Sequence, residues 1–226
     1  QLERSIHRDV QLAGRVQKTL LPKDRENELF SIRTAYEPLQ EVSGDFYNYR
    51  FHASRGILRG YISDITGHGI GSALNSAAVR FILDEELDQQ LTLELVEKIN
   101  TRLVGYFTDE TFVASLMFEF DFSKKRAIII TGGINYLLAS AAQWNGLVAI
   151  PGGLIGLFEP ADLNLVTVPI QSGDVFYFMT DGLMDVIKNN IPDQIHDFEK
   201  CIKFLQEQTQ IASTRDDCSM LCIKIQ

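Results

Sequence analysis

Apolar residues recur at helical spacing in four parts of the chain. The first predicted helix covers residues 2–20, where apolar side chains stand at steps of three and four: Leu2, Ile6, Val10, Ala13, Val16 and Leu20. This stripe is typical of a coiled-coil-like helix, and Pro22 ends it. Three further helices are predicted, over about 70–88, 91–107 and 193–209.

Much of the remaining chain has the composition and the period of two that predict β-strands. The predicted strands cover 30–36, 46–51, 57–62, 112–122, 126–131, 135–139, 147–150, 163–170, 175–180 and 218–225. Turns are expected between them, including 52–56, 123–125 and 144–146. Runs of hairpins with helices inserted between them indicate an α+β fold. Two antiparallel sheets packed face to face, with helices outside, would bury this many apolar strands.

Composition limits the class of protein and its partners. A chain of 226 residues suits one well-buried domain. Its formal net charge of −9 argues against a nucleic-acid or anionic-membrane partner, since both require a basic face. The sequence has no membrane-spanning run and no signal-peptide pattern. Three cysteines cannot all pair, so we expect buried free thiols in a reducing compartment and a cytoplasmic protein.

The domain organisation is predicted from the first helix. The sequence starts inside that helix without a methionine. We therefore expect residues 1–22 to be a linker helix from an upstream module, which the family resemblance described below implies to be a sensor or receiver, and residues 23–226 to be one domain. A helix packed on its own domain is the alternative. The same stripe could pair two copies of the chain as a homodimer.

Acidic residues share one local context at four positions. Asp45 precedes a predicted strand, Asp64 and Asp181 end strands, and the pair Asp216 and Asp217 precedes the last strand. Each aspartate alone is most often a turn or cap residue. Carboxylates brought together at one edge of a sandwich would raise one another's pKa, so a hard divalent cation is their natural partner. Oxygen-only ligands favour Mg²⁺ or Mn²⁺ over Zn²⁺.

A family resemblance rests on six motifs and on their order. They are V-S-G-D-F-Y, S-D-I-T-G-H-G-I-G-S-A-L, T-G-G-I-N-Y, P-G-G-L-I-G-L, S-G-D-V-F-Y-F-M-T-D-G and R-D-D-C-S. In this order they resemble the PPM phosphatases, the protein phosphatase 2C-like enzymes, and among these the SpoIIE/RsbU branch of bacterial serine phosphatases. The resemblance covers nearly the whole chain and implies the αββα sandwich of that family.

The resemblance also implies a centre of two Mn²⁺ or Mg²⁺ ions between the sheets. Its ligands would be the carboxylates of Asp45, Asp64, Asp181 and Asp216 and the backbone carbonyl of Ile65. Asp45 would bridge the two ions, Asp45 and Asp64 would be the catalytic residues, and a swap between Asp216 and Asp217 stays open. His68 is expected to brace the glycine loop, and the alternatives are that it orients water or donates a proton.

The implied function is hydrolysis of a phosphoserine or phosphothreonine on a regulatory protein by metal-activated water. The implied substrate is a phosphorylated anti-sigma-factor antagonist. The alternative is a weakly active or inactive member of the fold that binds a partner in a sigma-factor pathway. The sequence departs from the branch pattern without losing a ligand, at Ser63, Ile134, Asp185 and Ser219.

Overall fold

The computed structural model describes residues 2–66, 70–107 and 111–226, with side chains from Ser5 onward. In chain order the strands are β1 Arg25–Glu26, β2 Phe30–Glu37, β3 Phe46–His52, β4 Ile57–Ile65, β5 Val113–Asp121, β6 Arg126–Gly132, β7 Tyr136–Ala141, β8 Trp144–Ala149, β9 Asn164–Pro169, β10 Val175–Met179 and β11 Cys218–Ile225. The helices are α1 Leu2–Leu20, α2 Ile70–Glu86, α3 Leu93–Tyr106, α4 Asp181–Ile187 and α5 Phe198–Ala212.

The strands form two antiparallel sheets. One sheet has the order β1-β2-β11-β10-β7-β8, and the other has the order β3-β4-β5-β6-β9. In the first sheet β11 is central and pairs with β2 over its whole length, from Cys218 opposite Glu37 to Ile225 opposite Phe30. In the second sheet β4 pairs with both β3 and β5.

Three hydrophobic clusters define four layers. The central cluster lies between the sheets, where the rings of Phe118 and Phe178 stack with centroids 5.1 Å apart. A second cluster joins α2 and α3 to the outer face of the β3–β9 sheet. A third joins α4 and α5 to the outer face of the other sheet. The predicted α+β sandwich of αββα type is therefore confirmed.

Two local predictions were wrong. The turn expected at 144–146 lies at 142–143, and β8 already begins at Trp144. Trp144 packs against the central cluster, while Gly146, with φ of 117°, is a strand glycine that resembles a turn signal in the sequence. The predicted helix over 193–209 begins only at Phe198, capped by Asp197.

The short helix α4 and the two-residue strand β1 were missed. Apolar periodicity needs more residues than either element offers. Gly182 near the start of α4 also resembles a turn signal in the sequence. All three cysteines are buried and free, as expected.

Helix α1 packs on the sandwich through its C-terminal half. The Gln17 amide donates to the carbonyl of Ser43 (3.0 Å) and accepts from the Ser43 N–H (3.1 Å). Side chains of α1 and α2 line an open apolar groove of about 600 Å³, where Leu12, Val16 and Leu74 are exposed. No described helix has both the length and the hydrophobicity of a membrane span. The assignment of residues 1–22 to an upstream module stays a prediction.

Candidate active site

Strand register brings the acidic residues to one end of the sandwich. Phe46 of β3 lies opposite Ser63 of β4, so the preceding Asp45 and the following Asp64 stand side by side. In the other sheet Met179 of β10 lies opposite Met220 of β11. The residues just beyond β10 therefore meet the residues just before β11, and Asp181 and Asp216 share that edge.

Asp45 is the most deeply buried carboxylate of the group, with 2% of its surface exposed. Its N–H donates to Ser43 Oγ (2.9 Å), and its Oδ2 accepts a hydrogen bond from Thr180 Oγ1 (2.7 Å). Its Oδ1 is buried and has no hydrogen-bond partner among the described residues. Burial, and then the charge of Asp64, raise the pKa of Asp45 well above its ordinary value.

Asp64 lies against the Gly44 backbone. A Cβ atom at Gly44 would come within 2.6 Å of the Ile65 carbonyl oxygen and 3.2 Å of Asp64 Oδ1, so only glycine allows this approach. Burial, and then the charges of Asp181 and Asp216, raise the pKa of Asp64 to about 8. The Ile65 carbonyl accepts a hydrogen bond from Ser72 Oγ (3.3 Å).

Asp181 is the first residue of α4 and is exposed. Its pKa is raised by partial desolvation and by the charge of Asp216. A Cβ atom at Gly182 would lie 3.0 Å from the Cβ of Asp216, so this glycine lets the start of α4 approach the segment before β11.

Asp216 and Asp217 differ in environment. Asp217 is buried, and its two oxygens accept the backbone N–H groups of Leu39 (2.7 Å) and Gly44 (3.0 Å). It thereby fixes the loop that carries Asp45. Asp216 is exposed, and the hydrogen bond described for its carboxylate comes from the Asp217 N–H (2.9 Å). The sequence pattern did not separate these two roles.

The described acidic residues do not form a preformed metal-coordination site. Within 2–66, 70–107 and 111–226, no three His, Cys, Asp or Glu side chains form a group that could hold a metal ion as they stand. The donor set nevertheless fits a hard cation. Asp45 Oδ1 is buried without a partner among the residues described, and the aspartates raise one another's pKa, a repulsion that a cation would relieve.

Three of the four departures from the family pattern are buried in the structure, and among them the Oγ of Ser219 has no hydrogen-bond partner among the described residues. Ser63 Oγ lies 2.8 Å from Ser115 Oγ across β4 and β5, and Ile134 joins the central cluster. Ser219 is buried in β11 beside Thr180. The prediction for His68 falls on residues outside those described. Thr180, which contacts Asp45, was missed, although it precedes Asp181 in the T-D-G motif.

Comparison with known proteins gives a family match and distant relatives. Residues 54–226 match the family described as Stage II sporulation protein E (SpoIIE), a range that includes Asp64, Asp181 and Asp216 but not Asp45. The phosphoserine phosphatase RsbP of Bacillus subtilis (strain 168) is 23% identical over 248 residues, covering 100% of this chain and 60% of RsbP. The chain spans about three fifths of the length of the curated relatives it matches.

Solved structures share the fold. The SiaA-PP2C domain of Pseudomonas aeruginosa matches with a TM-score of 0.77 and 18% identity, over 100% of this chain and 99% of that one. RsbX, solved in complex with magnesium, matches with a TM-score of 0.72 and 16% identity, over 90% of this chain and 99% of that one. At these identities the likeness supports the architecture of two antiparallel sheets flanked by helices.

Proposed function

The chain belongs to the SpoIIE family, and on that premise we propose that it is a metal-dependent phosphatase acting on a phosphoserine or phosphothreonine of a regulatory protein. One observation carries the proposal. The carboxylate of Asp45 is buried with one oxygen unpaired among the described residues, and it lies beside Asp64, which the charges of Asp181 and Asp216 reach in turn. A buried carboxylate with an unpaired oxygen favours binding of a cation from solution.

The proposed ligands are the ones the sequence indicated: Asp45, Asp64, the carbonyl of Ile65, Asp181 and Asp216. Between the two neighbouring aspartates, the contacts favour Asp216, because both oxygens of Asp217 already accept backbone N–H groups. Two Mn²⁺ or Mg²⁺ ions at this position would supply an activated water and a positive clamp for the phosphoryl oxygens. The relative RsbX was solved with magnesium, which supports the choice of a hard divalent ion.

The chain's own residues perform three tasks in this mechanism. Asp45 has one buried oxygen, Oδ1, without a hydrogen-bond partner among the described residues, while its other oxygen accepts a hydrogen bond from Thr180. Asp217 keeps the loop of Asp45 in place. The acidic groups bind cations only in their deprotonated form. Asp64 loses its proton near its pKa of about 8, or at lower pH when a bound cation displaces the proton.

The proposed substrate is a phosphorylated regulatory protein of the anti-sigma-factor antagonist type. The relative RsbP is named a phosphoserine phosphatase, which supports a phosphorylated hydroxyl side chain as the target. We also propose that α1 connects this domain to an upstream sensor or receiver, and that the apolar groove along α1 and α2 pairs two copies of the chain.

Hydrolysis of an aryl phosphate tests the proposed reaction without knowledge of the protein substrate. The chain is assayed with and without millimolar Mn²⁺, beside Asp64→Asn and a control, Asp193→Asn, which changes an exposed aspartate between α4 and α5. We expect Mn²⁺-dependent turnover in the wild type and in the control, and its loss in Asp64→Asn. Calorimetry measures Mn²⁺ binding in parallel.

Two results would contradict the proposal, the first its reaction and the second the role of Asp64. Absence of both turnover and Mn²⁺ binding in the wild type would overturn the proposal and favour a partner-binding member of the fold. Equal turnover in Asp64→Asn and wild type would remove Asp64 from the metal centre.

A further inference from the structure

Thr180 occupies a helix N-cap but does not cap the helix. It precedes α4 with an extended backbone, φ −73° and ψ 165°, and its side chain makes no capping hydrogen bond. A threonine at this position ordinarily accepts a hydrogen bond from an N–H of the first helical turn. The hydroxyl instead forms hydrogen bonds with groups outside the helix, on Asp45 and Ser219.

The Thr180 hydroxyl makes two short hydrogen bonds and one long contact, which is to the Ser219 carbonyl (3.5 Å). It accepts the N–H of Ser219 (2.9 Å), because a backbone N–H can only donate. Its own hydrogen is then free to donate to Asp45 Oδ2 (2.7 Å). The residue is fully buried, and its backbone N–H also donates to the Ser219 carbonyl (3.1 Å). These bonds hold the hydroxyl rigidly at the end of β10 and β11.

The bond from Thr180 to Asp45 joins the two sheets. Thr180 follows β10 in one sheet, and Asp45 precedes β3 in the other. The bond ends on one oxygen of Asp45, while the second oxygen, Oδ1, is buried and unpaired within the described part of the chain. The two carboxylate oxygens are thus made unequal by this contact.

We infer that Thr180 is a positioning residue, which orients Asp45 so that Oδ2 is occupied by the hydroxyl and Oδ1 is presented to the metal ions. The inference rests on the proposed function, because it assigns a direction to a ligand of that centre. Hydrogen bonds from outside the ligand shell commonly fix ligand orientation in this way.

Three single variants test the role of the hydroxyl. Thr180→Val keeps the shape of the side chain and removes both hydrogen bonds, whereas Thr180→Ser keeps the hydroxyl. Thr131→Val is the matched control, because Thr131 is also fully buried and its hydroxyl donates to the Ile150 carbonyl (2.9 Å) in another part of the sandwich. Each protein is measured for thermal unfolding without metal, for the Kd of Mn²⁺ by calorimetry, and for aryl phosphate turnover.

We expect Thr180→Val to weaken Mn²⁺ binding by about 10- to 100-fold, the usual effect of removing such a partner. Thr180→Ser should restore most of the affinity. Thr131→Val should lower the unfolding temperature to a similar degree as Thr180→Val and leave the Kd at the wild-type value.

The outcomes separate this inference from the proposed function. Wild-type affinity in a folded Thr180→Val protein would overturn the positioning role while leaving the phosphatase proposal in place. Equal loss of affinity in Thr180→Ser and Thr180→Val would overturn it also, because the hydroxyl would then not matter. Failure of the wild type itself to bind Mn²⁺ would overturn the proposed function and this inference with it.

Discussion

The Asp64 carboxyl group holds its proton up to a pH of about 8, because it is buried beside the charges of Asp181 and Asp216. In an unfolded chain the same group ionises near pH 3.8. Between these two values the native protein binds a proton that the unfolded chain has lost. The free energy of unfolding therefore falls as the pH rises through this interval, for the metal-free protein.

Asp64→Asn should remove this pH dependence, because asparagine does not ionise. In chelator-treated protein, the stability of the variant relative to wild type should increase as the pH rises from about 4 to about 8 and level off above that. Urea unfolding at a series of pH values measures the difference. Parallel pH profiles for the two proteins would contradict the raised pKa.

Asp216 and Asp217 are adjacent in sequence, yet we predict opposite phenotypes for their alanine variants. Asp217→Ala leaves the buried N–H of Gly44 without its acceptor, which should cost about 1–3 kcal/mol of stability. Asp216→Ala changes an exposed side chain and should leave the free energy of unfolding nearly unchanged while weakening Mn²⁺ binding. Denaturant unfolding and calorimetry on both variants measure the two effects.

Each aspartate variant serves as the control for the other. If Asp217→Ala lost Mn²⁺ affinity with unchanged stability, the assignment of Asp217 to the loop would be wrong. The sequence alone could not decide which of the two aspartates is the ligand, because both precede β11. The choice depends on the hydrogen bonds of Asp217 with Leu39 and Gly44, which are far away along the chain.

At the scale of elements, the connection between α2 and α3 is held to the sheet by a buried ion pair. Arg59 of β4 donates to Glu119 of β5 over 2.6 Å, and both side chains are nearly inaccessible to solvent. Arg59 also donates to the Asp88 carbonyl, and Glu119 accepts the N–H of Leu91. Two charged side chains of the sheet thereby fix the loop that positions both helices.

Glu119→Ala should destabilise the protein by about 3–5 kcal/mol, because it leaves the Arg59 guanidinium buried without its counter-charge. Glu85→Ala, which breaks the exposed pair with Arg102 (2.8 Å), should change stability by no more than about 1 kcal/mol. Urea unfolding compares the two. A small effect of Glu119→Ala would mean that the attraction between Arg59 and Glu119 does no more than offset the free-energy cost of burying the Glu119 carboxylate.

Element boundaries followed from the sequence for the first helix and for most of the long strands. The last strand was predicted as 218–225 and lies at Cys218–Ile225, since its apolar residues are buried on both faces. The short helix α4 could not be predicted, because seven residues that include Gly182 show no periodicity of their own. Its formation depends on packing of Leu183 and Ile187 in the outer cluster.

At the scale of the whole molecule, the candidate site exists only because two sheets stack. Asp45 and Asp64 belong to one sheet, whereas Thr180, Asp181 and Asp216 flank strands of the other. Position at strand ends indicated that the carboxylates would share an edge, and the family resemblance implied a metal centre between the two sheets. The contacts across the sheets, such as Thr180 with Asp45, required the structure because they join residues far apart in sequence.

Self-association is the prediction that concerns the whole molecule. Leu74 of α2 is 69% exposed beside Leu12 and Val16 of α1, and together they border the apolar groove of about 600 Å³. Burying such a surface against a second copy would gain hydrophobic free energy. We expect the wild type to sediment as a concentration-dependent dimer and Leu74→Glu to sediment as a monomer.

Phe158→Glu is the matched control for Leu74→Glu, because Phe158 is 70% exposed and does not line that groove. Both variants place a charge at a solvent-facing position, so neither should disturb the fold. Dimers that persist in Leu74→Glu but vanish in Phe158→Glu would move the interface to the surface around Phe158. A wild type that stays monomeric at every concentration would exclude pairing through α1 and α2 in this chain. Both helices are present in the chain and their apolar side chains are exposed, so nothing would prevent them from pairing.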